Sequence, residues 1–568
     1  MRRGTKTDRR MWTAIVIAML LLAVVLAGCS DGNQEAGREA STADTANTDD
    51  GTAGNETNTA NAEEEPPRRG SITSSIYDRG LVPKEEGTIT DNRWTKWINE
   101  NGPTDVKFEA IPRWDSKTKF NVMFASKSAP DVIFEYDKAY RDQLVTQKQI
   151  QPIDELIEQY STTYKSLLDK YPEIRKITTR EDGKMYEFAH VTPTGPNHRL
   201  YIRVDWLEQL GLETPKTSDE LLETALAFAN QDPDGNGADD TYGINLSFIG
   251  GMVVDYMFGD VFTIYEKIPW HVEDGRLVHA WERTHQAFSY MKELYDGGAV
   301  DKGFLADSQG EKAKQDWLNG KLGIYGGSGM STSDIEAFYQ NNPDSDFTVI
   351  PLPEGPNGAF SPAIGNPVQM TAVINSAAKD PEAAMRFIDF MADPDTIQTL
   401  QYGVEGETYQ LVDGCPQIID QERWQQEVSY TGDFRMLANR DPEAKKCPLI
   451  EPTPEQVKNR ELQDLAQQYY VSEERPVPYL MMPELMPALP SDMQLVVTNA
   501  FKTILDNFQK SVVSGSSYTP DQAMEESMAA WERAGGAKID AWYETWYNEN
   551  KDTAFLVKDL YKFAPPAP

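Results

Sequence analysis

Cysteine and histidine are scarce in this chain of 568 residues, with three of the former and five of the latter. His190, His198, His271, His279 and His285 are scattered without ligand spacing, and no C-x-x-C or H-E-x-x-H is present, so zinc hydrolase and thiol-redox chemistry have no sequence support. A G-x-S-x-G elbow and a Walker loop are missing too, which removes the commonest serine hydrolase and nucleotide-hydrolase signatures. Basic residues are outnumbered, 54 Lys and Arg against 90 Asp and Glu, for a net charge of −36. Such a chain repels nucleic acid and anionic headgroups, so neither is an expected partner. Beyond residue 28 no apolar run is long enough to span a bilayer.

The first residues are built differently. Arg2, Arg3, Lys6, Arg9 and Arg10 precede the apolar run Met11 to Val25, and Leu26-Ala27-Gly28-Cys29 follows. A basic region, an apolar core and small residues before a cut are the order of a secretory signal peptide. A cysteine at the first mature position can carry a diacylglyceryl thioether, so residues 1–28 read as a lipoprotein leader and Cys29 as the lipidated residue. An uncleaved membrane anchor is the competing reading, because Met11 to Gly28 is just long enough to span. Both readings keep the basic end inside and place the rest on the outer face of the cytoplasmic membrane. Two or more acyl chains hold a protein stably at a bilayer. Residues 29–70 contain Ala, Thr, Asn, Asp, Glu and Gly but almost no large apolar side chain, and are expected to form a flexible tether.

The remaining body of about 500 residues exceeds what one core usually supports and predicts two lobes. Its only cysteines are Cys415 and Cys447. In an oxidising compartment an even pair tends to join, and a disulfide here contributes about 3 to 4 kcal/mol on the loop-entropy view; two buried free thiols are the alternative. Residues 71–76 alternate like a strand, 92–100 like a helix, 106–111 again like a strand, 114–126 like a helix, and Val132 to Phe134 like a short buried strand. That order predicts an α/β fold with a parallel sheet, in which ligands gather at the carboxyl ends of strands. Those ends are Tyr77-Asp78-Arg79 and Glu135-Tyr136. Thr217 with Glu220 forms a capping-box pattern, Asp380-Pro381 opens another helix, Trp270 to His279 reads as a hairpin, and residues 491–550 as three helices.

Two features carry chemistry. The loop Asp232-Pro233-Asp234-Gly235-Asn236-Gly237-Ala238-Asp239-Asp240 places oxygen side chains at positions one, three, five and nine with glycine at six, an arrangement that suits a structural Ca2+ ion. Position twelve is Gly243 where an EF-hand has a bidentate Glu, so closure would fall to a neighbour such as Thr241; a polar turn ending a helix is the plain alternative. The second feature is a set of indoles beside hydrogen-bonding residues: Trp94, Trp97, Trp114, Trp206, Trp270 and Trp281. Sugar rings present apolar C–H faces to such rings and hydroxyls to Asp, Glu, Arg or Asn. Each Trp is also a candidate for the core. Asp78 and Arg79 are either ligand contacts or a surface ion pair, and Arg203, just after the strand 200–202, either touches ligand or serves a helix end. With so many acids, paired carboxylates for glycoside cleavage remain an open second reading.

Several segments together resemble the extracellular solute-binding proteins of ABC sugar importers, in their large Gram-positive lipoprotein branch. They are Ile76-Tyr77-Asp78-Arg79-Gly80, Asn92 to Glu100, Ser128 to Ile133, Arg203-Val204-Asp205-Trp206-Leu207, the acidic loop 232–243 and Asn375 to Met391. The resemblance implies a two-lobed α/β binding fold of the periplasmic type, with several crossings between lobes and a helical C-terminus. Lobe one would comprise 71–190 and 362–450, lobe two 191–361 and 451–568. It further implies a monomeric receptor that holds an oligosaccharide in an interlobe cleft, without catalysis, and delivers it to the permease subunits of an ABC transporter. On that reading Tyr77, Asp78, Arg79, Trp94, Glu135, Tyr136, Arg203, Trp270 and Trp281 are the expected ligand contacts. Asp232, Asp234, Asn236, the Ala238 carbonyl, Asp240 and Thr241 are the expected calcium ligands. A surface glycosidase or polysaccharide lyase is the alternative function, and an adhesin or peptide-binding lipoprotein a third.

Overall fold

A computed structural model describes residues 69–565, apart from 181, 263–269, 274–275, 445, 449–450, 483–484 and 488. The expected leader, Cys29 and the tether up to residue 68 lie outside the described residues. Among the described residues no helix is long and apolar enough to cross a membrane.

The chain enters on β1 (Gly70–Asp78), and the helix Arg93–Asn101 leads to β2 (Thr104–Pro112). Asn92 starts that helix, its side chain accepting from the amides of Trp94 and Thr95, which satisfies donors that a helix N-terminus otherwise leaves bare. The helix Ser116–Ala125 follows, then β3 (Val132–Phe134), all of whose residues are buried. β1 pairs in parallel with β2 from Gly70–Thr104 to Asp78–Pro112, and with β3 at Ser74–Val132. The carboxyl ends of all three strands therefore share one edge. Two buried serines sit inside this apolar sheet, and the Ser75 hydroxyl accepts the Phe134 amide at 2.8 Å, which removes the cost of an unpaired buried oxygen.

Next come β4 (Phe188–Val191), β5 (His198–Arg203), β6 (Tyr242–Ile244), the hairpin β7 (Trp270–Glu273) and β8 (Arg276–His279), β9 (Leu322–Ser328), β10 (Phe347–Ile350) and β11 (Val368–Ile374). β11 lies between β3 and β4, antiparallel to both, giving the order β2-β1-β3-β11-β4. The expected parallel pairing of β1, β2 and β3 is present, and β11, which returns from the second sheet and runs the opposite way, makes the first sheet mixed. That second sheet has the order β10-β5-β9-β6, with β5 antiparallel to both neighbours and β6 parallel to β9.

Among the described residues three stretches connect the sheets. Residues 192–197 lead from β4 to β5, and residues 361–367 return antiparallel beside them, with Asn197 N bonded to Ala363 O and Gly365 N to Gly195 O. A third segment leaves the first sheet where Arg440 N meets Val191 O and runs into the helix Pro454–Tyr470. That helix docks on the second sheet, where the Tyr470 hydroxyl donates to Ile350 O and accepts from the Leu200 amide.

Both predicted helix caps hold. Thr217 and Glu220 cap the helix Ser218–Asn230, and the Asp380 side chain accepts from Ala383 N at the head of Pro381–Met391. The latter buries Ala384, Phe387, Ile388 and Met391 against the first sheet's core, each large side chain contributing roughly 1.5–3 kcal/mol. Three helices, Ser491–Val513, Pro520–Ala534 and Gly536–Asn550, form the C-terminal part. β12 (Tyr409–Val412) and β13 (Cys415–Ile418) make a hairpin tied by the Cys415–Cys447 disulfide, with Cα atoms 5.6 Å apart.

Candidate functional site

At the shared edge of β1, β2 and β3 the chain leaves each strand with a polar or aromatic residue. Tyr77 is buried and stacks on the half-buried Tyr136, ring centroids 6.0 Å apart. β2 ends at Pro112, and a short turn, Arg113–Asp115, then brings Arg113 over both tyrosines. Its guanidinium carbon lies 4.9 Å from the Tyr77 centroid, 5.2 Å from Tyr136 and 5.1 Å from Trp114. Cation–π attraction of about 0.5–2 kcal/mol per ring holds the charge there. Trp114 itself is 87% exposed, an unusual position for the largest apolar side chain.

Glu135 closes the cluster from below. Its amide bonds Thr371 O, its buried carboxylate accepts the Ser116 hydroxyl at 2.6 Å and the Asp137 amide at 2.8 Å, and Arg141 donates to its carbonyl. Arg79 pairs with Asp433 through Nε at 2.9 and 3.0 Å, while the exposed Asp78 accepts the Gly80 amide. Burial, then the Glu135 charge, push the Tyr77 phenol well above its ordinary range, and burial raises the Asp433 carboxyl despite its Arg79 partner. Among the described residues the buried Tyr77 hydroxyl has no hydrogen bond of standard geometry, and the Glu135 carboxylate is near enough to act on it. The cluster offers an exposed indole face, a caged cation and carboxylate acceptors, which together suit a polyhydroxylated ring.

The strand-end reasoning therefore brings Tyr77, Asp78, Arg79, Glu135 and Tyr136 together. The indole reasoning brings Trp114 there, and the expected contacts Trp94, Trp270 and Trp281 lie elsewhere. Trp94 is buried, its ring nitrogen donating at 2.6 Å to the carbonyl of Glu427, the last residue of the helix Gln421–Glu427, and its place is the core. Arg203 is buried at the start of the helix Val204–Leu210, paired to Asp205, bonded to Ser345 Oγ at 2.7 Å and stacked on Trp206 at 4.6 Å, so the helix-end alternative is the correct one. Trp270 is buried against Tyr543, centroids 4.5 Å apart, and donates to Asp540 at 3.1 Å. Trp281 is partly buried, edge-on to His279 at 4.3 Å. Both serve the packing of the β7–β8 hairpin on the C-terminal helices. Arg113 and Asp433 were not foreseen; Arg113 had a signal, since it follows the carboxyl end of β2 as Arg79 follows β1, whereas Asp433 is far along the chain and had none.

A second group of residues went unnoticed at the carboxyl ends of β6 and β9. A cavity of about 180 Å3 is lined there by Phe248, Lys314, Tyr325, Ser328 and Asp334. Phe248, 43% exposed, holds φ at +47°, a strained backbone for a bulky residue. The available sign was the pair of glycine doublets: Gly326 lets β9 approach the helix Ile249–Met257, since a Cβ there would sit 2.9 Å from the Gly250 Cα.

In the acidic loop, Asn236 donates to Asp234 at 2.7 Å and to Asp240 at 3.2 Å, Gly237 N to Asp232 at 3.1 Å, and Ala238 N to Asn236 Oδ1 at 2.6 Å. Lys321 pairs with Asp240 at 2.9 Å. Partial burial, then the Asp232 and Asp240 carboxylates, raise the Asp234 carboxyl, a repulsion that a cation would relieve. The oxygens of Asp232, Asp234, Asn236 and Asp240 have the hardness calcium takes, but in this conformation they are turned to the loop's own donors. No three His, Cys, Asp or Glu among the described residues are arranged to hold a metal. Thr241 is corrected: it is buried and its hydroxyl donates to Phe228 O at 2.9 Å, so the side chain serves the preceding helix.

The chain is 30% identical to Lipoprotein LipO of Bacillus subtilis over 55% of this chain and 62% of that protein. It is 29% identical to the fructooligosaccharide ABC transporter substrate-binding protein FusA of Streptococcus pneumoniae, over 52% of this chain and 57% of FusA. These matches thus span less than two thirds of either relative. Among solved structures, a human-milk-oligosaccharide-binding, ABC-transporter-associated protein of Bifidobacterium longum infantis superposes with a TM-score of 0.66 at 15% identity, covering 84% of this chain and 99% of that one. FusA in complex with kestose superposes with a TM-score of 0.62 at 20% identity, covering 85% and 99%. Both have the two-lobed α/β fold. The profile of the family described as bacterial extracellular solute-binding protein matches residues 86–398, more than half of the chain, and the protein belongs to that family.

Proposed function

We propose that this protein is a non-catalytic receptor that binds an oligosaccharide and hands it to the permease subunits of an ABC transporter. The carrying observation is the strand-end cluster, above all the 87% exposed Trp114 beside the caged Arg113. An exposed indole over a fixed guanidinium and carboxylate acceptors is what a sugar's C–H face and hydroxyls demand. FusA and LipO, whose descriptions name a substrate-binding protein and a lipoprotein, support the same reading. In it, lobe one is 71–190 with 362–450 and lobe two 191–361 with 451–568. The residues at the β6 and β9 ends, Phe248 among them, form the second wall, and ligand binding shifts the lobes toward closure. The protein works as a monomer, lipid-anchored through Cys29 on the outer face of the cytoplasmic membrane. A structural calcium ion is held by Asp232, Asp234, Asn236 and Asp240 once Lys321 and the Asn236 amide turn away.

A thermal-shift screen of the purified protein against a broad panel of neutral and acidic oligosaccharides tests this. A saturable rise in Tm with at least one sugar, and that sugar recovered intact after hours, is the expected result. No shift across the panel sinks the receptor reading, and cleavage of the bound sugar replaces it with an enzyme.

A further inference from the structure

The largest cavity described, about 700 Å3, is separate from both strand-end groups and lies in the roughly 300–1,000 Å3 range of small-molecule sites. It is walled on one side by Lys138, Arg175, Lys176 and Arg180, and on the other by the C-terminal residues Trp546 and Asp552. In a chain with 90 acids and 54 bases, a described lining with four cations and one carboxylate runs against the composition. The acids that hold these cations stand behind them and do not line the cavity. Asp142 takes Lys138 and Arg180, each at 2.7 Å, the fully buried Glu187 takes Arg180, and the buried Asp559 takes Lys176 at 3.1 Å. Arg175 forms no ion pair among the described residues; its guanidinium donates to Met185 Sδ at 3.3 Å. Three of the four lining cations are thus held by acids outside the lining, and Arg175 retains donors for another partner.

We infer that this cavity takes the carboxylate groups of an acidic oligosaccharide, a uronic-acid-containing glycan, with Trp546 against a sugar face. The inference rests on the saccharide-receptor reading and adds the charge of the ligand. A planar guanidinium matches a carboxylate bidentately, and a neutral glycan would leave Arg175, the one lining cation without an ion pair among the described residues, unmatched.

The test uses the full chain purified in detergent, with trigalacturonate and trimannuronate each measured by calorimetry against its methyl ester. At least one free acid is expected to bind ten times or more tightly than its ester, with the affinity falling as salt rises. Arg175→Gln is expected to weaken the acid by roughly tenfold or more and leave the ester unchanged, with Arg175→Lys intermediate. Tm without ligand should stay constant in both variants, because Arg175 carries no ion pair among the described residues. Equal binding of acid and ester, wild-type affinity in Arg175→Gln, or equal displacement by millimolar inorganic phosphate overturns the inference. If only neutral sugars bind, the acidic ligand is wrong and the receptor reading stands; if no sugar binds, both fall.

Discussion

Replacing Trp114 with alanine separates a ligand platform from a packing residue. The side chain is 87% exposed, so its removal takes almost nothing from the core, and stability should change by no more than about 0.5 kcal/mol. A large aromatic presents about 150–250 Å2, and a sugar stacked on one face removes somewhat under half of that from water, on the order of 80 Å2. At about 25 cal/mol per Å2 this amounts to about 2 kcal/mol, or roughly thirtyfold in Kd. Arg113 remains seated on Tyr77 and Tyr136 at 4.9 and 5.2 Å, so the cation keeps its place and the loss belongs to the indole. Calorimetry with whichever saccharide the panel yields, alongside urea unfolding of the same variant, measures both quantities. Unchanged affinity refutes the platform, and a drop in affinity matched by a drop in stability refutes the claim that the ring is outside the core.

Trp94→Ala should do the reverse, costing about 3–5 kcal/mol of stability through the cavity left at its buried site, with near wild-type affinity in the fraction that folds; circular dichroism melts and calorimetry check it. Replacing Cys415 and Cys447 with serine opens a loop of 32 residues and should lower unfolding free energy by about 3 to 4 kcal/mol, read from urea midpoints under non-reducing conditions. Asp260 is fully buried, accepting Val261 N and the Thr284 hydroxyl near Arg283, and burial raises its carboxyl from 3.8 to about 6. A folded value above the unfolded one means the folded state holds the proton more tightly, so stability from this group is greatest below pH 4 and falls by roughly 3 kcal/mol as pH rises to about 6. Asp260→Asn should flatten that slope, and an identical slope in the variant would contradict it. If calcium occupies the acidic loop, millimolar Ca2+ after chelation should raise Tm, and Asp234→Asn should abolish the rise; an unchanged Tm argues against the site.

The local elements were legible because their signals are local. Asn92, Thr217 and Asp380 each cap a helix through a side chain within three residues, and the run Val132 to Phe134 can be buried on both faces only as a strand. Strand ends followed directly, and with them Tyr77, Asp78, Arg79, Glu135 and Tyr136, because parallel pairing aligns carboxyl termini whatever the rest of the chain does. The order of strands and helices sufficed for an α/β fold, and the resemblance to solute-binding proteins implied the two-lobed binding form of it.

Which indoles meet solvent was beyond such reasoning. Trp94 and Trp114 look alike in sequence, and only the packing of the 421–427 helix over Trp94 and the turn after Pro112 under Trp114 distinguish them. The same holds for β11, which enters the first sheet antiparallel from 234 residues beyond β3, counted from Phe134 to Val368, and for Asp433, which reaches Arg79 across 354 positions. Thr241 turned inward because Phe228 O needed a donor, a fact of the helix before it rather than of the loop. Side-chain periodicity and caps are set by neighbours within one or two turns, so they can be read from the chain. The charge of a cavity wall, the partner of a buried arginine and the exposure of a tryptophan depend on residues hundreds of positions away, and folding alone decides them.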